Sequence, residues 1–597
     1  MKHFKDHLKT GTMKSINIIS VVLILALVSC NKDLLEQYPT DSVSPQTFFK
    51  TENDLKAYTN SFYVYMPSAE YIYGEDYDNI VKSSVSREIS GTRLVPTTDS
   101  RWGWGPLRNI NFFLNNENVI NFPNETVRDK YIGLARFARA SFYFDKVKSY
   151  GDVPWYSIII ENTDINSLQK ARDPRTMVMD SVLADIDFAI AHLDETKSVE
   201  RITKWTALAL KSRICLYEGT WRKYHTEFNL PDADKFLNEC VSASLELMNS
   251  GVYTLYTKTD GPSGKPYQDL FASLKLDAVA DEVIMGRRFD NTLGVRHGLQ
   301  FYITSRTQGK PGLEKRLINS YLMADGSRFT DRPGYDTMQY FTEIQNRDPR
   351  LAQTIRTPGY RRVGATATSS VDFNATMTGY QPIKWMNIAA MDGSSQSYQD
   401  LLIFRFGEVL LNYAEAKAEL GTLTQADIDM SVKRLRDRVG MPNLDIAGAN
   451  ANPDAYQAAI YKNVNGANKG VILEIRRERR IELVMENSNR WDDLMRWKEG
   501  HLLATPFKGM YFPSAGLYDL DRNGTPELEI YSGAKPPETG PYQLPVSELD
   551  RGTYGNIITN VNIAKTFNEN RDYLWPLPVE DLTLNTNLKQ NPGWGNQ

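Results

Sequence analysis

The sequence predicts a mainly α-helical protein whose helices stack in tetratricopeptide-like pairs, with large irregular loop regions and a few short strands. Three observations support this prediction: amphipathic segments with apolar residues at three- and four-residue steps, alanines where helices would touch, and long segments rich in Gly, Pro, Asn and aromatic residues. The 597 residues are 41% hydrophobic and 24% charged, which is typical of a folded chain. A net charge of −4 argues against a nucleic-acid-binding face.

The first predicted helices lie in the N-terminal 250 residues. Thr51 is a favourable N-cap for a helix that runs to Tyr65. The amphipathic segment 127–150 is followed by Gly151 and Pro154, which end a helix. Similar patterns predict helices over 176–193, 204–218 and 232–249.

The second half of the chain repeats this organisation. Helices are predicted over 404–420, 424–439 and the long segment 468–498. Alanines mark the predicted contacts between helices, although the 34-residue tetratricopeptide consensus is not present. These alanines are Ala135, Ala138 and Ala140, then Ala207 and Ala209, then Ala414, Ala416 and Ala418.

Two long segments interrupt the helical pattern, at about 250–400 and at 503–570. Long loops within folded proteins usually carry function. We therefore expect a helical scaffold that displays a large irregular surface. The predicted regions are a leader over 1–29, a helical part over 30–250, a variable loop-rich part over 251–400 and a C-terminal part over 401–597.

The N-terminus resembles a bacterial lipoprotein signal. The apolar stretch from Ile16 to Val28, about 13 residues long, is too short to span a bilayer and follows four lysines. It ends in Leu-Val-Ser-Cys30, which resembles the lipobox in which the cysteine receives the lipid. A signal peptide with an incidental cysteine is the alternative, and Met13 is an alternative start site. This pattern predicts a mature chain tethered to a membrane through acylated Cys30.

The two remaining cysteines, Cys215 and Cys240, lie in apolar helical patterns. One disulfide is an alternative in an oxidising compartment, but buried free thiols are commoner in such patterns. No spacing typical of a zinc site is present.

Four sequence segments carry motifs that recur together in one protein family. They are Cys30 to Glu52, with Leu-Leu-Glu and Phe-Phe-Lys-Thr-Glu; Ala135 to Pro154, with Tyr-Gly-Asp-Val-Pro; Phe404 to Asp492, with Glu-Arg-Arg-Ile-Glu-Leu and Arg-Trp-Asp; and Leu574 to Trp594, with Leu-Trp-Pro-Leu-Pro and Gln-Asn-Pro-Gly-Trp. Together they resemble the SusD/RagB family of surface lipoproteins from Bacteroidetes, in the order in which the family has them. The region of about 250–400 matches this family poorly.

The resemblance implies a tetratricopeptide-like α-α superhelix at the surface of the outer membrane. Family members are not enzymes, and they cap a SusC-like TonB-dependent transporter. They capture oligo- or polysaccharides and pass them to the transporter. Peptide capture, as in the RagB branch, is the first alternative, and a secreted glycoside hydrolase is the second.

A hydrolase would need two suitably placed carboxylates. Glu474, Glu478, Glu482 and Glu486 recur at four-residue steps among arginines in the predicted helix 468–498. Neighbouring arginines lower the pKa of a carboxyl group, which is the opposite of what a general acid requires. We therefore interpret these residues as a helix laced by ion pairs, with no catalytic residue.

One segment has the spacing of a calcium loop. Oxygen-bearing residues occupy positions 1, 3, 5 and 9, with Gly524 at the sharp turn, but Ile530 stands where an EF-hand needs a bidentate Glu. The alternative is a turn rich in Asx hydrogen bonds. The predicted structural Ca²⁺ ligands are Asp519, Asp521, Asn523, Thr525 through its carbonyl, and Glu527.

Aromatic residues in loops are the candidate ligand platforms, because ring faces stack on sugars while amides bond hydroxyl groups. Trp102 and Trp104 lie among glycines just before a predicted helix that carries Asn109 and Asn111. The alternative is that one indole fills the scaffold. Weaker candidates are Tyr302 and Trp385, and Tyr71, Tyr73 and Tyr77 are candidates for the same face.

Overall fold

The computed structural model describes residues 48–595. The predicted leader 1–29 and Cys30 lie outside these residues. One hydrophobic cluster contains residues from every region between 48 and 595, among them Leu55, Leu313 and Leu473. Within 48–595, no helix combines the length and apolar character needed to cross a membrane.

Helices of eight residues or more account for most of the scaffold, and those between residues 48 and 595 are labelled α1 to α9. They are α1 (Glu52–Asn60), α2 (Gly105–Leu114), α3 (Glu125–Tyr150), α4 (Arg175–His192), α5 (Lys204–Tyr224), α6 (Ala233–Asn249), α7 (Phe406–Glu419), α8 (Lys469–Glu482) and α9 (Asn489–Arg496). Thr51 forms a capping box with Asp54 at the start of α1, as its sequence predicts.

These helices stack on one another in order along the chain. α3 packs against α4, α5 against α6, α6 against α7 and α7 against α8. Small residues allow the close approach: a Cβ atom on Gly133 would lie 3.6 Å from Cα of Ala189, and one on Gly219 would lie 2.7 Å from Cγ of Leu237. The mainly α, tetratricopeptide-like prediction is confirmed.

Shorter elements connect the stack. The strands within 48–595 are β1 (Ile80–Val81), β2 (Val283–Arg287), β3 (Gly312–Leu313), β4 (Leu401–Arg405), β5 (Lys508–Phe512), β6 (Gly516–Tyr518), β7 (Leu528–Tyr531), β8 (Tyr542–Pro545) and β9 (Gly555–Ile558). The antiparallel pairs are β1–β3, β2–β4, β5–β9 and β6–β7, and β7–β8 is parallel. Short helices include Ala69–Tyr73, Ile165–Leu168, Pro266–Ala272, Leu299–Thr304, Lys315–Ser320, Ile446–Ala451, Ala455–Ile460 and Val579–Leu584.

Two predicted helices of the second half are broken. The segment 468–498 divides into α8 and α9, because Met485, Asn487 and Ser488 have φ values of 58°, 51° and 51°. These left-handed conformations cannot continue a right-handed helix. The segment 424–439 divides into Gln425–Asp429 and Val432–Asp437.

Candidate functional site

A cleft of about 530 Å³ opens between α3, α5 and the turn that precedes α9. A second cavity of about 300 Å³ shares Tyr65, Arg101 and Asp145 with it. We call the combined feature the polar cleft. Its aromatic and polar lining comprises Tyr65, Tyr71, Trp491 and Trp575, the charged residues Arg101, Asp145, Lys148, Arg213 and Asp492, and the amides Asn487 and Asn489.

Ion pairs occupy the floor of the polar cleft. Lys148 Nζ donates to Asp492 Oδ2 at 2.9 Å and lies 3.2 Å from Asp145 Oδ1. Burial opposes the charge on Lys148, but the neighbouring Asp492, Tyr71 and Asp145 outweigh it and raise the pKa of the ammonium group. Burial also raises the pKa of Asp492. Two carboxyl groups thus share one ammonium group, which leaves acceptor capacity for hydroxyl groups of a ligand.

Aromatic rings form the walls of the cleft. Tyr71 is 40% exposed, and the ring of Trp491 lies 5.1 Å from that of Tyr77. The guanidinium group of Arg101 lies over the ring of Trp575. Flat ring faces beside fixed carboxyl and amide groups can stack a planar or weakly polar ligand face and bond its polar edge.

The break between α8 and α9 shapes this site. Asn487 and Asn489 lie in the cleft wall because the left-handed turn ends α8 and redirects the chain. Asn487 Nδ2 donates to the carbonyl of Ile403 at 3.0 Å, which fixes its side chain. The sequence signals for Trp491 and Trp575 were the Arg-Trp-Asp and Leu-Trp-Pro motifs. The continuous helix predicted over 468–498 concealed the first of them.

A separate, apolar cavity of about 600 Å³ lies on the other side of the segment 101–106 from the polar cleft. Lys146 Nζ holds this segment by donating to the carbonyls of Arg101 and Gly103, and burial lowers the pKa of Lys146 to about 8. We call this cavity the apolar pocket. Its lining includes Trp102, Trp104, Leu107, Arg108, Asn111, Tyr156, Ile158, Ile165, Leu168, Asp581, Leu584 and Leu588.

The predicted platform residues Trp102, Trp104 and Asn111 border the apolar pocket, but they differ in exposure. Trp102 is 3% exposed and packs edge-on against Tyr150, with ring centroids 4.8 Å apart, so its indole fills the scaffold. Trp104 is half-buried and lines the apolar pocket together with Asn111. Asn109 lines neither cavity and donates to the Tyr65 hydroxyl at 3.1 Å.

Of the two weaker candidates, Trp385 lies in the interior and Tyr302 is half-buried. Trp385 is fully buried, and its Nε1 donates to the carbonyl of Met485 at 3.0 Å, so the prediction that it contacts ligand is wrong. The Tyr302 hydroxyl donates to the carbonyl of Glu75 at 3.0 Å, and its ring packs 5.7 Å from Tyr73. Trp385 thus completes the core, because its loop packs inward against the helices.

The glutamates of α8 are buried in ion pairs with other elements. Glu482 accepts from Arg350, Arg405 and Arg438. Burial alone would raise the pKa of Glu482, but the arginines outweigh it and hold the pKa well below its usual range. Glu478 is likewise buried, and its pKa is lowered. The ion-pair interpretation holds, although most partners belong to other segments and Glu486 lies beyond the helix.

Cys215 and Cys240 are buried free thiols, which agrees with the commoner of the two sequence alternatives. Burial raises the pKa of the Cys240 thiol to about 12. Neither sulfur is therefore an accessible nucleophile.

Three of the predicted calcium ligands converge. Carboxylate oxygens of Asp519, Asp521 and Glu527 lie within 4.8 Å of one another. The backbone amide of Gly524 donates to Asp519 at 2.7 Å, and Thr525 N donates to Asn523 Oδ1 at 2.8 Å, so an Asx turn accounts for part of the pattern. The three carboxylates fit a hard cation. Calcium binding stays a prediction.

Comparisons with known proteins agree on one family. The sequence profile of the SusD family matches residues 282–594. SusD-like protein P2 from Formosa agariphila is 22% identical over 98% of this chain and 100% of its own, and SusD-like protein P38 from the same organism is 24% identical over 83% and 94%. A crystal structure of a SusD-like protein from Bacteroides fragilis covers 93% of this chain and 100% of its own at 22% identity, with a TM-score of 0.66. A SusD-like carbohydrate binding protein from Bacteroides fragilis is 20% identical over 91% and 100%, with a TM-score of 0.65. The chain belongs to the SusD family.

Proposed function

We propose that this protein binds oligo- or polysaccharides in the polar cleft and delivers them to a SusC-like TonB-dependent transporter. It would act at the outer-membrane surface, anchored through acylated Cys30, and without catalysis. The observation that carries the proposal is the cleft itself, in which Tyr71, Trp491 and Trp575 stand around the Lys148–Asp492 pair. One relative of the same fold is described as a carbohydrate binding protein.

The chemistry of the cleft suits sugars. Ring faces stack on the C–H faces of a pyranose, while the carboxyl groups of Asp145 and Asp492 accept hydrogen bonds from hydroxyl groups. The buried glutamates of α8 cannot supply a general acid, because arginines stabilise their ionised form. Binding without turnover is therefore the expected behaviour.

The test is calorimetric titration of the chain from Asn31 onward against a panel of polysaccharides and extended peptides. Tyr71→Ala should weaken the binding of the active glycan about tenfold, because a stacking face is lost. The matched control is Tyr554→Ala, which removes a tyrosine of similar exposure outside the cleft. If peptides bind and no glycan binds, peptide capture replaces this proposal. Sugar release during the titration would instead indicate a hydrolase.

The delivery step needs its own measurement. Co-purification of the full-length lipoprotein with a SusC-like transporter from outer membranes would support delivery. The Cys30→Ser variant should lose both this co-purification and the labelling of the protein at the cell surface. Retention of the protein in the soluble fraction of wild-type cells would contradict the anchor.

A further inference from the structure

The rim of the apolar pocket exposes aliphatic side chains that a partner segment would cover. Ile158, Ile165, Leu168 and Leu584 are 56%, 57%, 43% and 70% exposed, and all four line the pocket. Scattered exposed aliphatics are ordinary, but a cluster around a cavity of about 600 Å³ marks an interaction site.

The chain itself carries a segment that fits this pocket. Residues 31–47 precede the part that the structure describes, and within them Leu34 and Leu35 are adjacent and flanked by polar residues. We propose that Leu34 and Leu35 dock into the apolar pocket. This inference does not depend on the ligand of the polar cleft.

The length of the segment allows the docking. The carbonyl of Phe48 accepts from Asn118 Nδ2 at 2.9 Å, so the described chain begins beside the C-terminal end of α2. Phe49 packs on Phe113 of α2, and the pocket lies against other residues of the same helix, including Leu107. A ten-residue helix is about 15 Å long, whereas the thirteen steps from Leu35 to Phe48 span up to about 45 Å. The leucines can therefore reach the pocket around α2.

Charges at the rim complement the segment. Lys32 precedes the leucines and Glu36 follows them. The pocket lining carries Asp581 in the helix Val579–Leu584 and an exposed arginine, Arg108, in α2. The rim thus offers an opposite charge to each of these two residues, which favours docking of the segment.

Docking would also position the lipid anchor. Cys30 lies four residues before Leu34, so its attached lipid is held within about 15 Å of the pocket. The pocket then opens towards the membrane, and the segment 101–106 separates it from the polar cleft. Such a clamp gives the body of the protein a fixed orientation on the membrane, which a lipid tether alone does not.

Disulfide trapping in the full mature chain tests the proposal, with Cys30→Ser to free the protein from lipid. Leu35→Cys combined with Leu584→Cys should form an intrachain disulfide under mild oxidation. Ser42→Cys with Leu584→Cys is the matched control, because Ser42 belongs to the same segment but is not one of the residues proposed to dock. We expect the first pair to close at least tenfold faster. The buried thiols of Cys215 and Cys240 do not compete.

Hydrogen exchange supplies a second measurement without new cysteines. Amides of residues 33–37 should be protected in the parent chain, and Leu34→Asp with Leu35→Asp should lower that protection at least tenfold. Leu168→Asp, at an exposed position of the pocket rim, should do the same while the helices stay protected.

Three outcomes would overturn the proposal. Equal trapping rates for the two cysteine pairs would show that the segment has no preferred position. Dilution-dependent disulfide dimers would assign the pocket to a second copy of the chain. Unprotected amides in the parent chain would show that the pocket does not hold the leucines.

Discussion

The guanidinium group of Arg101 lies over the indole ring of Trp575, with 3.5 Å between Cζ and the ring centroid. Asp99 holds the same guanidinium group, with 3.2 Å between Oδ2 and Nε. The contact joins the segment 101–106 to the C-terminal part of the chain, and both side chains line the polar cleft. A cation–π contact of this kind fixes the position of the indole.

Trp575→Ala should weaken glycan binding about tenfold, because a stacking face of the cleft is lost. Arg101→Ala should weaken it less, about threefold, since the indole remains but loses its support. Calorimetric titration measures both effects. The control is Arg551→Ala, which removes a cation from the ring of Tyr554 outside the cleft. An affinity unchanged by Trp575→Ala would place the sugar elsewhere.

Trp102→Ala should lower the free energy of unfolding by about 3–5 kcal/mol, as expected for removal of a buried aromatic ring. Its indole is 3% exposed and contacts Trp104 and Tyr150. Urea unfolding measures the loss. Glycan affinity of the remaining folded protein should stay unchanged. A large affinity loss with full stability would restore Trp102 as a ligand platform.

The local signals in the sequence predict the helical scaffold well. Thr51 and Gly151 mark helix ends that the structure reproduces at Glu52 and Tyr150, because caps and glycines act within a few residues. The break between α8 and α9 has a weaker marker, the run Asn487-Ser488-Asn489, whose residue types favour turns but also occur within helices. It depends on the left-handed turn at Asn487, whose side chain bonds to the carbonyl of Ile403, a residue distant in sequence.

The same limit applies to the candidate site. A loop tryptophan looks alike in sequence whether it fills the core, as Trp385 does, or lines a cleft, as Trp575 does. The difference is set by packing between segments far apart in the chain. Asp519, Asp521 and Glu527, in contrast, belong to one short loop, so their spacing in the sequence was enough to predict that their carboxylates converge.

Glu482→Gln should lower the free energy of unfolding by about 3–5 kcal/mol, because it leaves buried arginines without their counter-charge. Arg405 and Arg438 both donate to Glu482 Oε1, and all three side chains are buried. Chemical denaturation measures the change. Glu538→Gln, which removes an exposed partner of Lys535, should have no measurable effect. Equal effects of the two substitutions would contradict this account.

Ionisation of the Glu75 carboxyl group should lower the free energy of unfolding as the pH rises. Burial raises the pKa of Glu75 to about 7, so the folded state binds the proton more tightly than the unfolded state. The free energy of unfolding therefore falls by about 3 kcal/mol between pH 4.5 and pH 8 on account of this group. Burial also raises the pKa of Glu499 to about 7, which adds a fall of the same sign.

Glu75→Gln should consequently remove the contribution of this group to the fall in stability between pH 5 and pH 8, about 2.5 kcal/mol. Urea unfolding at the two pH values measures it. Glu70→Gln, at an exposed position on the preceding helix, should leave the difference as it is in the parent protein. An unchanged difference in Glu75→Gln would show that Glu75 is ionised in the folded protein throughout this range.

Calcium should raise the melting temperature by about 2 °C or more, because it binds the folded loop and not the unfolded chain. Burial raises the pKa of Glu527, and the neighbouring Asp521 and Asp519 carboxyl groups raise it further, a repulsion that a cation would relieve. Asp521→Asn should abolish the calcium response in differential scanning calorimetry. Asp325→Asn is the matched control, because Asp325 accepts from Ser327 N at 2.9 Å in an Asx turn outside the predicted calcium loop. If calcium has no effect on the parent chain, or the same effect on Asp521→Asn, the loop is an Asx-rich turn and its carboxylates hold no metal.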